Sequence, residues 1–132
     1  MIELRTTRHY TEAVRNHFFP YINLFKQTRL NNLAYKSLAS EEYLSAIVIN
    51  CLLKEIEDLL IRKLVTTKGY KLTFKFTPAQ GVVLYKTLLA LPIPSNQEYL
   101  NVIRSEWLQL IDQELIKQNL YQRTTSKVHT DI

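Results

Sequence analysis

The side chains able to carry chemistry in this chain are three histidines, one cysteine and two groups of carboxylates. His9 and His17 stand eight residues apart, two helical turns, whereas two residues of one helix share a metal at i, i+4 spacing. His129 stands alone near the end of the sequence, and no E-x-x-H occurs, so the di-iron carboxylate pattern of helical bundles is absent. Cys51 lies in the most apolar stretch with no base beside it to generate a thiolate, and it reads as a small core hydrophobe. Acid–base chemistry needs two carboxylates held in a cleft with separated acidities. Glu55, Glu57 and Asp58, and then Glu106, Asp112 and Glu114, read instead as solvated faces of amphipathic helices. These residues assign no catalytic group, metal or cofactor, and the expectation is a protein that is not an enzyme.

Binding offers more. Arg8, Arg15, Arg29 and Lys36 recur at multiples of seven, and Lys26 falls near them on an ideal helix wheel. His9, Tyr10, His17, Phe18 and Tyr21 are interleaved with them. A cationic stripe can neutralise phosphates, and exposed aromatics can stack on unpaired bases. Lys71 and Lys75 would extend such a surface. This stripe requires one continuous helix, and Pro20 lies within it. Nucleic-acid contact is therefore the second reading of the chain, behind protein–protein interaction.

The elements that must position these residues follow from composition and periodicity. Only two glycines occur among 132 residues, where roughly 9 would be average. Turn-rich β folds and glycine-rich phosphate loops both need more. Length indicates a single domain, over residues 1–122, with an aperiodic tail over 123–132. A single cysteine excludes an internal disulfide, and no apolar run approaches the roughly 18 residues of a membrane span. The first eight residues have no apolar run of the secretory kind, and the expected address is the cytoplasm. The net charge of +5 is distributed in alternating blocks: basic to residue 39, acidic over 40–66, basic over 67–94 and acidic again over 95–122. Complementary helix faces or an ordinary solvated surface account for this as well as a polyanion partner does.

Ile2–Thr6 alternates like a short strand, and helical periodicity starts near His9 or Thr11. Val14, Phe18, Tyr21, Ile22 and Phe25 share a face. Pro20 predicts a kink or restart, and a shift of the apolar face predicts a break or strong bend near Asn31–Asn32, with a further helical piece to about Leu38. Ser40-Glu41-Glu42 starts a helix expected to reach Thr66, and Gly69 suits the turn that ends it. Its first half, Ala46 to Leu53, is apolar nearly all round, which suits a central helix or an interface. Tyr70–Phe76 is the clearest strand, with Tyr70, Leu72, Phe74 and Phe76 on one face and lysines on the other. Its partner is either Ile2–Thr6 or the same strand of a second copy. Thr77-Pro78-Ala79-Gln80 is a capping box opening a short helix to Ala90 or Leu91, and Gly81 within it suggests close backbone packing. Ser95–Glu98 reads as a second capping box for a helix from Asn96 to about Tyr121, with Trp107 a core anchor on its apolar stripe.

The fold class is thus mainly α, a helical bundle of about four helices with one short strand or a two-stranded ribbon. The expected function is a non-enzymatic helical interaction, assembly or regulatory accessory protein acting as a homodimer. The residues suited to that interface are Tyr70, Leu72, Phe74, Phe76, Ile47 and Ile49.

Overall fold

The computed structural model describes residues 1–33 and 40–118. The elements run β1 (Ile2–Thr7), α1 (Arg8–Ala13), a π turn (Val14–Phe18), α2 (Phe19–Leu33), α3 (Glu41–Thr66), β2 (Lys71–Phe76), α4 (Pro78–Ala90) and α5 (Glu98–Lys117). The mainly helical architecture and the ribbon are those expected. The segment after Leu33 expected to be helical to Leu38, and the tail over 123–132, lie outside the described residues.

β1 and β2 pair antiparallel, with Ile2 opposite Phe76, Leu4 opposite Phe74 and Thr6 opposite Leu72. The strand thus takes its partner from its own chain. Alternation places Ile2, Leu4 and Thr6 with Leu72, Phe74 and Phe76 on one buried face, and Arg5, Lys71 and Lys75 on the solvent face. The ribbon covers a core built from Ile56 and Leu60 of α3, Leu84 and Leu88 of α4, and Ile103, Trp107 and Ile111 of α5. The outward amide of Glu3 does not meet a third strand: it donates to Glu114 Oε1 of α5 at 3.0 Å. One exposed strand edge is thereby satisfied by a helix side chain.

The helical stretch from Arg8 does not restart at Pro20. Ala13, Val14 and Phe19 all keep right-handed helical dihedrals, and α2 runs through Asn31 and Asn32 to Leu33, where the described part of this stretch ends. A π turn stands just before the proline. Proline lacks the amide that would bond four residues back, and its ring crowds that carbonyl. The wider turn just before it, with Phe19 N–H donating to the Val14 carbonyl, accommodates both effects. It also lets two successive residues, Phe18 and Phe19, both be buried. The cost is phase. Tyr21 and Phe25, expected on the buried face, are half exposed.

Capping follows the sequence closely in two places. Ser40 Oγ accepts from Tyr43 N–H at 3.2 Å. At α4, Thr77 and Gln80 exchange both bonds of a capping box, at 3.2 and 2.9 Å. The second expected box does not form: α5 begins at Glu98 without a side-chain cap. Gln97 N–H instead closes a turn onto the Pro94 carbonyl at 3.0 Å, which consumes residues 95–96 before the helix can start.

Gly69 takes φ +102° in the turn between α3 and β2, a region closed to most side chains. Gly81 serves a different need. A Cβ there would sit 2.9 Å from Ile2 Cγ1, so the first turn of α4 lies directly against β1. Gly81→Ala is therefore expected to lower the Tm although alanine favours helix by about 1 kcal/mol, because overpacking costs about 1–3 kcal/mol. In an Ile2→Ala background the same change should become neutral or stabilising. A Tm raised by Gly81→Ala in the wild-type background would show that the approach is not tight.

Candidate functional site

Two surface features stand out once the core is assigned. The first is a cavity of about 470 Å³ between α2 and α4, floored by α3, which packs against both. The α2 wall carries Ile22, Phe25, Lys26 and Arg29; the floor is Ile49, Asn50 and Leu53. The α4 wall carries Val83, Lys86, Thr87 and Ala90, with Leu91 just beyond the helix. Among the described residues, three cations and no carboxylate line it. Lys26 Nζ reaches Asn23 Oδ1 at 3.5 Å, and no ion pair engages Lys26, Arg29 or Lys86 among the described residues.

The second is the outer face of α3. Its core-facing stripe is Ala46, Leu53, Ile56 and Leu60, with Ile49 half-buried between them. Directly opposite stand Leu44, Ile47 and Val48, which are 52%, 37% and 58% exposed. Cys51 continues this line and is exposed, not the core residue expected from its apolar neighbours. A run apolar on every side hides which face turns inward. Packing against α2 and α4 decides it, and Cys51 falls on the far side.

The cations of the expected polyanion stripe are distributed over several places. The π turn shifts the helical phase, so a seven-residue spacing across it no longer keeps one face. Arg8 is turned onto the end of α3: Nη1 donates to the Leu64 carbonyl at 2.9 Å, Nε to Gly69 at 3.0 Å, and Nη2 to Thr67. The Arg8 amide donates to Tyr70 at 2.7 Å. Arg15 is exposed on the π turn, Lys71 and Lys75 are exposed on the ribbon, and Lys26 and Arg29 meet Lys86 at the cavity. Lys36 lies outside the described residues. Of the residues suited to an interface, Leu72, Phe74 and Phe76 are buried in the chain's own core, Tyr70 is exposed at the ribbon's end, Ile47 is on the outer face of α3, and Ile49 lines the cavity.

The carboxylates hold structure together. Glu55 Oε1 accepts from Gln80 Nε2 at 2.9 Å, tying α4 to α3; Glu57 accepts from Asn23, tying α3 to α2; Asp58 pairs with Lys54 at 3.1 Å. Among the described residues, no three His, Cys, Asp or Glu side chains converge as metal ligands. His9 packs on Tyr99, with ring centroids 5.5 Å apart. The Tyr99 hydroxyl titrates above the ordinary 10.0, through desolvation first and then the charges of Tyr10, Tyr70 and Glu12.

Sequence reasoning placed Lys86 only among the cations of the basic block over 67–94 and did not mark Arg104. The neighbours of Lys86 at the cavity, Lys26 and Arg29, were not visible as such, because the cavity joins residues from three helices distant in sequence. Arg104 spans α5 to the end of α4, donating to the carbonyls of Leu88 at 3.4 Å and Leu91, and to Asn101 Oδ1 at 3.0 Å. Arg8 and Arg104 use one device, a guanidinium placed on the negative end of a neighbouring helix. No helix is long and apolar enough to cross a membrane among the described residues. No protein-family model, curated protein or solved structure matches this chain.

Proposed function

We propose that this protein is a non-enzymatic assembly module that associates with a second copy of itself through the outer face of α3. The observation that carries the reading is the exposure of Leu44, Ile47 and Val48 at helical spacing on one face, with Cys51 in line. Clustered exposed apolar side chains mark an interaction surface more strongly than scattered ones do. Two α3 helices packed about a two-fold axis would bury the same face of each, the self-complementary geometry of most homodimers. The basic residues support a nucleic-acid function less well, because Arg8 is engaged by α3 and the other described cations of that reading fall in three separate places: Arg15 on the π turn, Lys26 and Arg29 at the cavity, and Lys71 and Lys75 on the ribbon.

Light scattering over a concentration series tests this. The wild-type chain is expected to reach twice its monomer mass, and Val48→Asp to hold the monomer mass at the same concentrations. Val48 is exposed in the single chain, so the substitution should alter folding stability by less than about 0.5 kcal/mol. Cys51 should react with a thiol reagent faster in Val48→Asp than in the wild type. A wild-type monomer at all concentrations, or a dimer untouched by Val48→Asp, would refute the assignment.

A further inference from the structure

We infer that the cavity between α2 and α4 binds a single-chain amphiphile with a carboxylate head, an aliphatic acid of fatty-acid type. Its volume, about 470 Å³, lies within the range of roughly 300–1,000 Å³ typical of small-molecule sites. Its depth is aliphatic: Ile22, Leu53 and Leu91 are buried core residues, and Ile49 and Val83 pack against that core. Such a surface rewards an alkyl chain through the water it releases and offers little to a polar body.

The rim selects the head. Lys26, Arg29 and Lys86 approach from two facing helices, and no carboxylate in the lining balances them among the described residues. Three cations without an ion-pair partner among the described residues, beside a mostly apolar floor, leave a field that one anion relieves. A guanidinium offers a planar fork matching a carboxylate, and the two ammonium groups add point charges on either side. A cationic head would meet three like charges, and an uncharged head would leave the rim unanswered. This assignment does not depend on dimerisation, since the lining residues differ from the outer face of α3.

The test is calorimetric titration of the full chain with octanoate, decanoate and dodecanoate below their micelle-forming concentrations, with dodecyltrimethylammonium as the opposite-charge control. Affinity should rise about fourfold per added methylene, the equilibrium equivalent of burying one CH₂. The ammonium amphiphile should bind at least tenfold more weakly than dodecanoate. Arg29→Gln combined with Lys86→Gln, two exposed positions, should weaken dodecanoate about tenfold while leaving the Tm unchanged. Amide chemical shifts should move at Ile49, Leu53 and Val83, and hold at Leu44 and Val48. Equal binding of both head groups, no chain-length dependence, an unchanged affinity in the double variant, or shifts centred on the outer face of α3 would each overturn the inference.

Discussion

Replacing Arg8 by alanine is expected to lower the unfolding free energy by about 2–3 kcal/mol, the scale of hydrogen bonds from a charged donor combined with a helix-end charge effect. The guanidinium of Arg8 reaches the carbonyls of Leu64, Thr67 and Gly69, and the Arg8 amide reaches Tyr70. One residue thus joins the start of α1 to the end of α3 and to the turn that feeds β2. The last carbonyls of a helix have no partner within it, and their dipoles sum to partial negative charge. Alanine would leave the carbonyls of Leu64, Thr67 and Gly69 to water, while the backbone bond from residue 8 to Tyr70 would remain. Arg8→Lys should recover less than half of the loss, since one ammonium group cannot address three divergent carbonyls as the fork does. Urea unfolding checks this through a lower midpoint with an unchanged m-value. An Arg8→Ala midpoint within error of the wild type would show the bonds to be worth nothing net.

Trp107 should be the most costly side chain to truncate. Its ring is completely buried, packs 6.3 Å from the Phe74 ring at 52°, and its Nε1–H donates to Thr6 Oγ1 at 3.1 Å. Trp107→Ala is expected to cost about 3–5 kcal/mol, the usual range for a large aromatic removed from a core. Trp107→Phe keeps most of the ring and removes the donor, while Thr6→Val removes the acceptor and leaves the indole N–H buried without a partner. Leaving one buried partner unpaired costs about 1–3 kcal/mol, whereas replacing both can be nearly neutral. The Trp107→Phe/Thr6→Val double variant should therefore be more stable than the two single losses predict when added. Strict additivity in that cycle would show that the bond contributes no coupling.

Much of this architecture was legible in short-range patterns. Ser40-Glu41-Glu42 announced the start of α3, Thr77-Pro78-Ala79-Gln80 announced α4, and the alternation of Tyr70–Phe76 announced β2, because caps and period-2 patterns act over a few residues. Gly81 was legible as a close approach, though not which residue approached it. Pro20 was legible as a disturbance, but the backbone has two ways to absorb a missing donor. The π turn, which keeps Phe18 and Phe19 both buried, satisfies the core better than a break would. The cavity was illegible, since Arg29, Asn50 and Lys86 become neighbours only when α2 and α4 stand on either side of α3.

By itself the sequence determined the helical class, the existence and order of the main elements, and the absence of glycine-rich phosphate loops, all consequences of local propensity and periodicity. Tertiary structure decided which faces those elements turn inward. It turned Cys51 outward and Leu53 inward on a helix apolar all round, spent Arg8 on the end of α3, and gathered Lys26, Arg29 and Lys86 at one rim. The physical reason is that burial and charge pairing are properties of surfaces brought together across the chain, and residues tens of positions apart set the terms for each other only after the helices have packed.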